Sequence, residues 1–315
     1  MTARSLISTD DLSDDDLCRV VERAVRFSTG DLAVERPLAG QVIGIYFRKT
    51  STRTRTAFSS GALRLGAHIV AYGPEDLQTV TGETTEDTGR IFAGMLDGLV
   101  ARTAGPAAEM RGWATQDRMA VVNAMSAEEH PTQALADLAT LRSRFGRVEG
   151  LRILYVGEGN NTAAALALAL SRFPGVRLCL RTPPGYGLTA DVLARAHAHA
   201  ARSGAVLDLR HDLADLPPDL DVVYTTRWQT TGTAKPDPGW RHTFAPFRVT
   251  AQLWETSPKA LFMHDLPAHR GEEVTADVLD GPASIAFTQA RFKLHSAMAA
   301  LEWCCSAGPA TGSGA

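Results

Sequence analysis

The segment Ser51-Thr52-Arg53-Thr54-Arg55 concentrates hydroxyl and guanidinium donors at one place in the chain. It follows a buried apolar run at residues 41–47 and precedes a stretch whose apolar periodicity predicts a helix. Ligands bind at the carboxyl ends of the strands of parallel sheets. Backbone N–H groups and the positive end of a helix favour an anion there, and the side chains add further donors. The segment is suited to phosphate, although a solvated basic loop would have the same composition.

Two further segments bring together histidines and other polar groups. His130-Pro131-Thr132-Gln133 stands at the start of a predicted long helix, and the run HDLPAHRGEE at residues 264–273 follows apolar residues. Either could carry chemistry. Histidines flanked by prolines at the ends of elements are also often part of capped structure, so neither segment alone identifies a function.

Alternating strands and helices must position these segments. Strands are predicted at 41–47, 68–72, 98–102, 151–156, 176–180 and 222–225, with helices between them. This alternation indicates parallel sheets. The helix that begins at Pro131 lies between the two halves and is predicted to join them. We therefore predict an α/β fold of two doubly wound parallel-sheet lobes joined by long helices, each lobe of roughly 140 residues.

Composition and charge exclude several classes of protein. The 315 residues are 44% hydrophobic and 21% charged, which is ordinary for a globular protein. A net charge of −3 argues against a general nucleic-acid binder. The longest apolar stretch is about half a membrane span, and the N-terminus lacks the apolar core of a signal peptide. The four cysteines form no regular framework. We expect a cytoplasmic protein that binds neither nucleic acid nor membrane.

Taken together and in order, the motifs resemble the aspartate/ornithine carbamoyltransferase family. The motifs are FRKTSTRTRTAF, LQTVTGETTEDTGR, Arg102, HPTQALADL, VGEGNN and HDLPAHRGEEVT. The resemblance runs from about residue 5 to residue 303, and the last motif is closer to the ornithine branch than to the aspartate branch.

The resemblance implies an enzyme that moves the carbamoyl group of carbamoyl phosphate to a small amine acceptor. It implies a carbamoyl-phosphate domain at 1–135 together with a C-terminal helix at 289–305, and an acceptor domain at 148–288. Residues 306–315 are predicted to be a flexible tail. The resemblance also implies a homotrimer with active sites at subunit interfaces. No metal or organic cofactor is required, because phosphate is already a good leaving group.

The family pattern also assigns the residues that bind the donor. The phosphate would be held by Ser51, Thr52, Arg53 and Thr54. The carbamoyl carbonyl and amide would be contacted by Arg102, His130 and Gln133. Gln78 lies in a loop that can reach a neighbouring subunit's site, and Lys293 stands where the family has an arginine. Negative charge develops on the carbonyl oxygen during attack, and prepositioned donors stabilise it. The catalytic candidates are Arg53, Arg102, His130 and Asp265.

The acceptor half departs from the family pattern. The cysteine of H-C-L-P is Asp265, the aspartate that pairs with the α-ammonium of ornithine is Thr226, and the Ser-Met pair is Thr230-Thr231. The predicted acceptor-binding set consists of Asn161, Thr226, Arg227, Thr230, Thr231, Asp265 and Leu266. Among these, Asn161 still matches the position that contacts the ornithine backbone.

These departures predict a changed acceptor. Without a carboxylate at 226 a free α-ammonium has no counter-charge, and burial of an unpaired ammonium is costly. We therefore expect an acceptor other than free ornithine, such as an α-acylated or peptidyl diamino acid in antibiotic or other natural-product biosynthesis. Asp265 would anchor the reacting ammonium and then accept or relay its proton.

Three alternatives stay open. The first is an ornithine carbamoyltransferase of arginine biosynthesis. The second is a catalytically silent relative that binds phosphate metabolites, favoured by Lys293, because lysine lacks the bidentate fork of arginine. The third is a dinucleotide-dependent oxidoreductase, suggested by Gly157-Glu158-Gly159 after a strand. That motif lacks its third glycine, since Thr162 stands there, and is weak evidence.

Overall fold

The computed structural model describes residues 3–30, 36–230 and 233–306, without the side chains of residues 79 and 80. The chain divides into two compact units. Unit 1 comprises Met1–Ala127 and Lys293–Ala315, and unit 2 comprises Glu128–Phe292. The predicted tail at 306–315 lies outside the described residues except for Ser306.

Unit 1 contains a four-stranded parallel sheet with the strand order β2-β1-β3-β4. Its elements are α1 (Asp14–Thr29), β1 (Val42–Phe47), α2 (Thr52–Arg64), β2 (His68–Tyr72), α3 (Thr85–Ala93), β3 (Gly98–Arg102), α4 (Ala107–Trp113) and β4 (Ala120–Met125). Apolar side chains of β1, β3 and β4 pack with α3 and α4 around Trp113, which is fully buried. The core therefore fixes the carboxyl ends of the strands, where the predicted phosphate residues begin.

Unit 2 contains a five-stranded parallel sheet with the strand order β7-β6-β5-β8-β9. Its elements are α5 (Pro131–Phe145), β5 (Arg152–Val156), α6 (Asn161–Leu170), β6 (Arg177–Arg181), α7 (Ala190–Ser203), β7 (Val206–Arg210), β8 (Val222–Thr225), α8 (Trp240–Phe244), β9 (Leu261–His264), α9 (Ala276–Leu279) and α10 (Ala286–Cys305), whose C-terminal part belongs to unit 1. Every residue of α6 is buried, so this helix is a rigid support for the residues at its N-terminus.

The predicted α/β class and parallel sheets are confirmed, with local differences. Strands 68–72, 98–102 and 222–225 and the helix at 190–203 have the predicted bounds. Helix α2 begins inside the Ser-Thr-Arg segment, because the Ser51 hydroxyl accepts a hydrogen bond from the Thr54 N–H at 3.3 Å and caps the helix. No helix in the described ranges is long and apolar enough to span a membrane.

Candidate active site

The predicted phosphate residues of unit 1 form the first turn of α2. Thr52 is exposed, Arg53 is half-buried and Thr54 is buried. The first turn contains no acidic residue, so no carboxylate opposes the positive end of the helix dipole. Its N–H groups, hydroxyls and guanidinium together are suited to a phosphate anion.

Arg102 lies at the carboxyl end of β3, beside the end of β1. Its carbonyl oxygen accepts a hydrogen bond from the Arg48 N–H at 3.0 Å, at the start of the loop that leads to Ser51. The Arg102 guanidinium is buried, and its Nη1 lies 3.5 Å from the carbonyl oxygen of Ala124. The strand pairing therefore holds Arg102 next to the loop that carries the predicted phosphate residues.

Two other predicted donor residues lie on separate elements. Gln78 is exposed in a short 3-10 helix, Gln78–Thr81. Its Oε1 accepts a hydrogen bond from the Thr81 hydroxyl at 3.0 Å. Lys293 lies on α10 and is about nine-tenths buried, with a relative exposure of 9%. Its role in binding carbamoyl phosphate stays a prediction.

In unit 2 the start of α5 places His130 at the N-cap position and Gln133 in the first helical turn. The His130 N–H donates to the carbonyl oxygen of Asn161 at 3.1 Å. This bond ties the start of α5 to the start of α6. His130 Nδ1 lies 3.3 Å from the Thr132 hydroxyl. One predicted donor residue and one predicted acceptor residue are therefore linked through the backbone.

Gln133 is held by a buried carboxylate that was not among the predicted site residues. Its Nε2 donates to Asp137 Oδ1 at 2.7 Å, one helical turn further along α5. Asp137 also accepts from Gln289 Nε2 at 2.7 Å and from the Tyr224 hydroxyl at 2.9 Å, and it is fully buried. Burial and the charges of Asp137 and Asp265 raise the pKa of Tyr224 well above its ordinary value, so the phenol remains a donor.

Asp265, just past the end of β9, stands at the centre of the predicted acceptor residues. Its Oδ1 accepts from the Thr226 hydroxyl at 2.9 Å, and its Oδ2 accepts from the Thr162 hydroxyl at 3.0 Å. The residue after β8 and the first turn of α6 therefore supply donors to one carboxylate. The contact with Thr162 was not predicted, because 103 residues separate the two positions.

The neighbouring His264 is buried between two carboxylates. The Leu266 N–H donates to His264 Nδ1 at 2.8 Å, and Nε2 lies 3.3 Å from Glu273 Oε1. In the neutral ring the proton therefore lies on Nε2. Burial disfavours the charged ring, but hydrogen bonds with Asp265 and Glu273 outweigh burial and raise the pKa of His264. Leu266 itself has a φ of 52°, a conformation rare for a branched apolar residue and found most often at functional sites.

The remaining acceptor residues lie beside the start of α6. Asn161 is the first residue of that helix and is buried. The Thr230 hydroxyl accepts from Asn160 Nδ2 at 3.1 Å. Arg227 is half-buried, and its Nε has no hydrogen-bond partner among the described residues. Thr231 lies outside the described residues.

One group of side chains could hold a metal ion among the residues that the structure describes. The ligand atoms of His269, Glu272 and Glu273 lie within 4.8 Å of one another. Glu273 is already engaged, because its Oε1 accepts from the His269 N–H and contacts His264. The group is thus part of the structure that supports the loop after β9.

The glycines after β5 have a structural explanation. Gly157 has a φ of 135°, and a Cβ on Gly159 would lie 2.3 Å from the backbone carbon of Gly187. Gly159 is required because the backbone at 187–188 packs directly against it. The motif that suggested a dinucleotide enzyme therefore reflects close packing.

Two family profiles match the chain, one to each half. Residues 4–143 match the carbamoyl-P binding domain of aspartate/ornithine carbamoyltransferase, and residues 149–304 match its Asp/Orn binding domain. The chain belongs to the aspartate/ornithine carbamoyltransferase family. It lies on the ornithine branch and is a carbamoyltransferase.

Relatives and solved structures agree with this assignment. The chain is 39% identical over 303 residues to an ornithine carbamoyltransferase of Symbiobacterium thermophilum, covering 94% of this chain and 96% of that protein. The structure of ornithine carbamoyltransferase from Pyrococcus furiosus superposes with a TM-score of 0.90 at 35% identity, covering 96% of this chain and 97% of that chain. The enzyme from Gloeobacter violaceus gives a TM-score of 0.85 at 32% identity, covering 96% of this chain and 99% of that chain.

These relatives contradict the predicted acceptor. Each is named an ornithine carbamoyltransferase, so the prediction of an acceptor other than free ornithine, in antibiotic biosynthesis, was wrong. The geometry supplies the physical reason. Thr226 replaces the carboxylate of the family pattern, but Asp265 places a carboxylate 2.9 Å from that threonine. The predicted loss of counter-charge at position 226 is therefore offset by the gain at position 265.

Proposed function

We propose that the protein is an ornithine carbamoyltransferase that forms citrulline and phosphate from ornithine and carbamoyl phosphate in arginine biosynthesis. The observation that carries this proposal is the similarity to an ornithine carbamoyltransferase over 94% of the chain. The acceptor residues support it, because Asp265 places a carboxylate among them, beside Thr226 and Thr162, and a carboxylate can balance an ammonium group of a free diamino acid.

The donor half of the reaction is assigned to the residues that match the family pattern. Ser51, Thr52, Arg53 and Thr54 hold the phosphate, and Lys293 adds positive charge. Arg102 and His130 stabilise the oxygen of the carbonyl as the amine nitrogen attacks the carbon. Gln133 receives the carbamoyl amide, and its own amide nitrogen is held by Asp137. The C–O bond to phosphate then breaks, and phosphate leaves with the bonding electron pair.

The acceptor half requires deprotonation of an amine. An alkylamine with a pKa near 10.4 is about 0.1% neutral near pH 7.4, so the site must bind the ammonium and remove its proton. Asp265 anchors the ammonium and receives or relays that proton. Asn161 contacts the amino-acid backbone, Thr230 and Leu266 shape the pocket, and the half-buried Arg227 offers its guanidinium to the α-carboxylate.

A comparison of acceptors tests the proposal. Purified protein is given carbamoyl phosphate with ornithine, Nα-acetylornithine, lysine, putrescine or 2,3-diaminopropionate, and phosphate release and product mass are recorded. We expect citrulline from ornithine, with a kcat/KM at least about 100-fold above that for Nα-acetylornithine, because the acetyl group removes the α-ammonium charge and adds bulk that the pocket must accommodate. Equal or better turnover of the acetylated amine would contradict the proposal.

We also propose a cytoplasmic homotrimer. Gln78 is exposed in the loop that reaches a neighbouring subunit in such enzymes, and unit 1 exposes the large apolar side chains of Leu63, Val70 and Met95. The cysteines of the described residues form no disulfide, which fits a reducing compartment. Sedimentation equilibrium should give three times the chain mass of 33.7 kDa, and a monomeric active protein would contradict the trimer.

A further inference from the structure

The ammonium group of Lys235 lies in a cage of one carboxylate and three aromatic rings. Its Nζ is 2.5 Å from Glu158 Oε1 and lies 4.8 Å, 5.4 Å and 4.7 Å from the ring centroids of Tyr186, Trp240 and Phe244. The Lys235 side chain is only 3% exposed. We call these five residues the lysine cage.

The rings of the cage support one another. Trp240 and Phe244, both on α8, meet edge to face with centroids 5.4 Å apart, and Tyr186 meets Phe244 in the same way at 4.7 Å. Trp228 packs behind them, 5.7 Å from Phe244. The faces and edges of these rings are therefore fixed, and a cation is attracted to the faces that surround it.

The cage is connected to the predicted acceptor residues through Glu158. Glu158 follows β5, and its Oε2 lies 3.5 Å from the Thr230 hydroxyl. Thr230 accepts from Asn160 Nδ2, and Asn160 Oδ1 caps α6 by accepting from the N–H groups of Thr162 and Ala163. Lys235 is thereby linked, through Glu158 and Thr230, to the helix start that carries Asn161.

A purely structural role would not require a charge at this position. An aromatic pocket is filled at lower cost by an apolar side chain, because a buried ion pair loses the hydration of both charges. The ammonium of Lys235 instead has two kinds of partner, the cage rings and Glu158. Compared with an apolar side chain, the ammonium group adds a specific bond to Glu158. Glu158 in turn contacts the Thr230 hydroxyl.

We propose that Lys235 is a positioning residue for the acceptor, holding Thr230 and the start of α6 in their binding geometry through the lysine cage. The proposal rests on the proposed function for the identity of the acceptor. Lys235 is not assigned contact with the substrate. It acts through Glu158, Thr230 and Asn160, so its loss should weaken the binding of ornithine while leaving the binding of carbamoyl phosphate unchanged.

Steady-state kinetics of Lys235→Met test the split between the two substrates. Methionine keeps most of the volume and removes the charge. We expect the KM for ornithine to rise about tenfold or more, with the KM for carbamoyl phosphate within about twofold of the unsubstituted enzyme. Lys259→Ala, at an exposed lysine of the same unit, is the matched control and should change neither. An ornithine KM within twofold, or equal rises in both KM values, would contradict the proposal.

Chemical rescue tests the cage without reliance on the proposed acceptor. Lys235→Ala empties the space of the side chain, and propylammonium supplies an ammonium that fits it. We expect added propylammonium to cause a saturable shift in the fluorescence of Trp228 and Trp240 in this variant. It should also raise the variant's kcat/KM for ornithine at least about fivefold. Neutral propanol is the control and should do neither.

The two readouts separate the possible failures. Citrulline formation by the unsubstituted enzyme is measured first, and its absence would overturn the proposed function alone, since the fluorescence titration still reports on the cage. A saturable fluorescence change without a rise in kcat/KM would show that the cage binds an ammonium but does not position the acceptor. This result would overturn the positioning role. The absence of both signals in a folded Lys235→Ala protein would overturn the cage itself.

Discussion

The Thr226 hydroxyl donates a hydrogen bond of 2.9 Å to the carboxylate of Asp265. These are two of the positions at which the sequence departs most clearly from the pattern of its family, and they are direct neighbours in the structure. A change at one of them is therefore a change in the surroundings of the other. The pair explains how an acceptor site without a carboxylate at position 226 still presents one negative charge.

Asp265→Asn tests that charge. Asparagine keeps the shape and can still accept from Thr162 or Thr226, but it cannot balance an ammonium group or accept its proton. We expect the kcat/KM for ornithine to fall about 100-fold or more, with binding of carbamoyl phosphate unchanged by isothermal titration. Thr226→Val, which removes only the hydrogen bond, should cost far less. A loss of under tenfold for Asp265→Asn would show that the carboxylate has no catalytic part.

A reciprocal exchange tests whether the two positions share one function. Asp265→Cys alone removes the carboxylate, and Thr226→Asp alone places two carboxylates in contact, which raises the pKa of one of them. Each single variant should lose activity, whereas the double variant should recover at least about tenfold relative to Asp265→Cys. The measurement is citrulline formation for all four proteins, and strictly additive losses would rule out an exchangeable pair.

Asp137→Asn tests the orientation of Gln133. The carboxylate accepts from Gln133, Gln289 and Tyr224. An asparagine would present its own N–H groups to one of these donors, and the amide of Gln133 would lose its fixed orientation. We expect the kcat/KM for carbamoyl phosphate to fall about 10- to 100-fold.

Tyr224→Phe is the control for the network, because it removes one donor and leaves the bond to Gln133 in place. It should lower stability with a much smaller kinetic effect. If both variants lost stability equally and neither changed the kinetics by more than about twofold, Asp137 would be a structural residue only.

His264 should make stability depend on pH. Its pKa is raised in the folded protein by Asp265 and Glu273 despite burial. A raised pKa means that the folded state binds the proton more tightly than the unfolded state. The resulting stabilisation is present below the ordinary histidine pKa of 6.5 and is lost as the pH rises through the folded-state pKa.

Urea unfolding of the unsubstituted protein and His264→Gln measures this effect. The difference in the free energy of unfolding should be larger near pH 5.5 than near pH 9. Loss of packing contributes equally at both values, so only the change with pH reports on the imidazole. A difference that grew with pH would mean that burial, and not the carboxylates, controls the pKa of His264.

Much of the fold could be predicted from local pattern. Strands 68–72, 98–102 and 222–225 were bounded correctly because apolar runs between turn signals are local information. Strands β4, β7 and β9 were not predicted. Strand β7 is half-exposed at the sheet edge with a charged side chain within it, so it has no strong apolar signal. Strands β4 and β9 are apolar and buried, but neither apolar run was recognised as a strand. The start of α2 depended on a cap, Ser51, that the pattern did not specify.

The amino-acid sequence alone indicates which functional groups are present, whereas the fold sets which of these groups come into contact. Residue types and spacing identified the Ser-Thr-Arg segment and the family without any coordinates. The contact between Thr226 and Asp265 joins residues 39 positions apart, and that between Asp137 and Gln289 joins residues 152 apart. Pairings at such separations are set by the order of the strands and the packing of the helices. For this reason a missing carboxylate in the sequence indicated a new acceptor, whereas the folded chain places a carboxylate beside the vacated position.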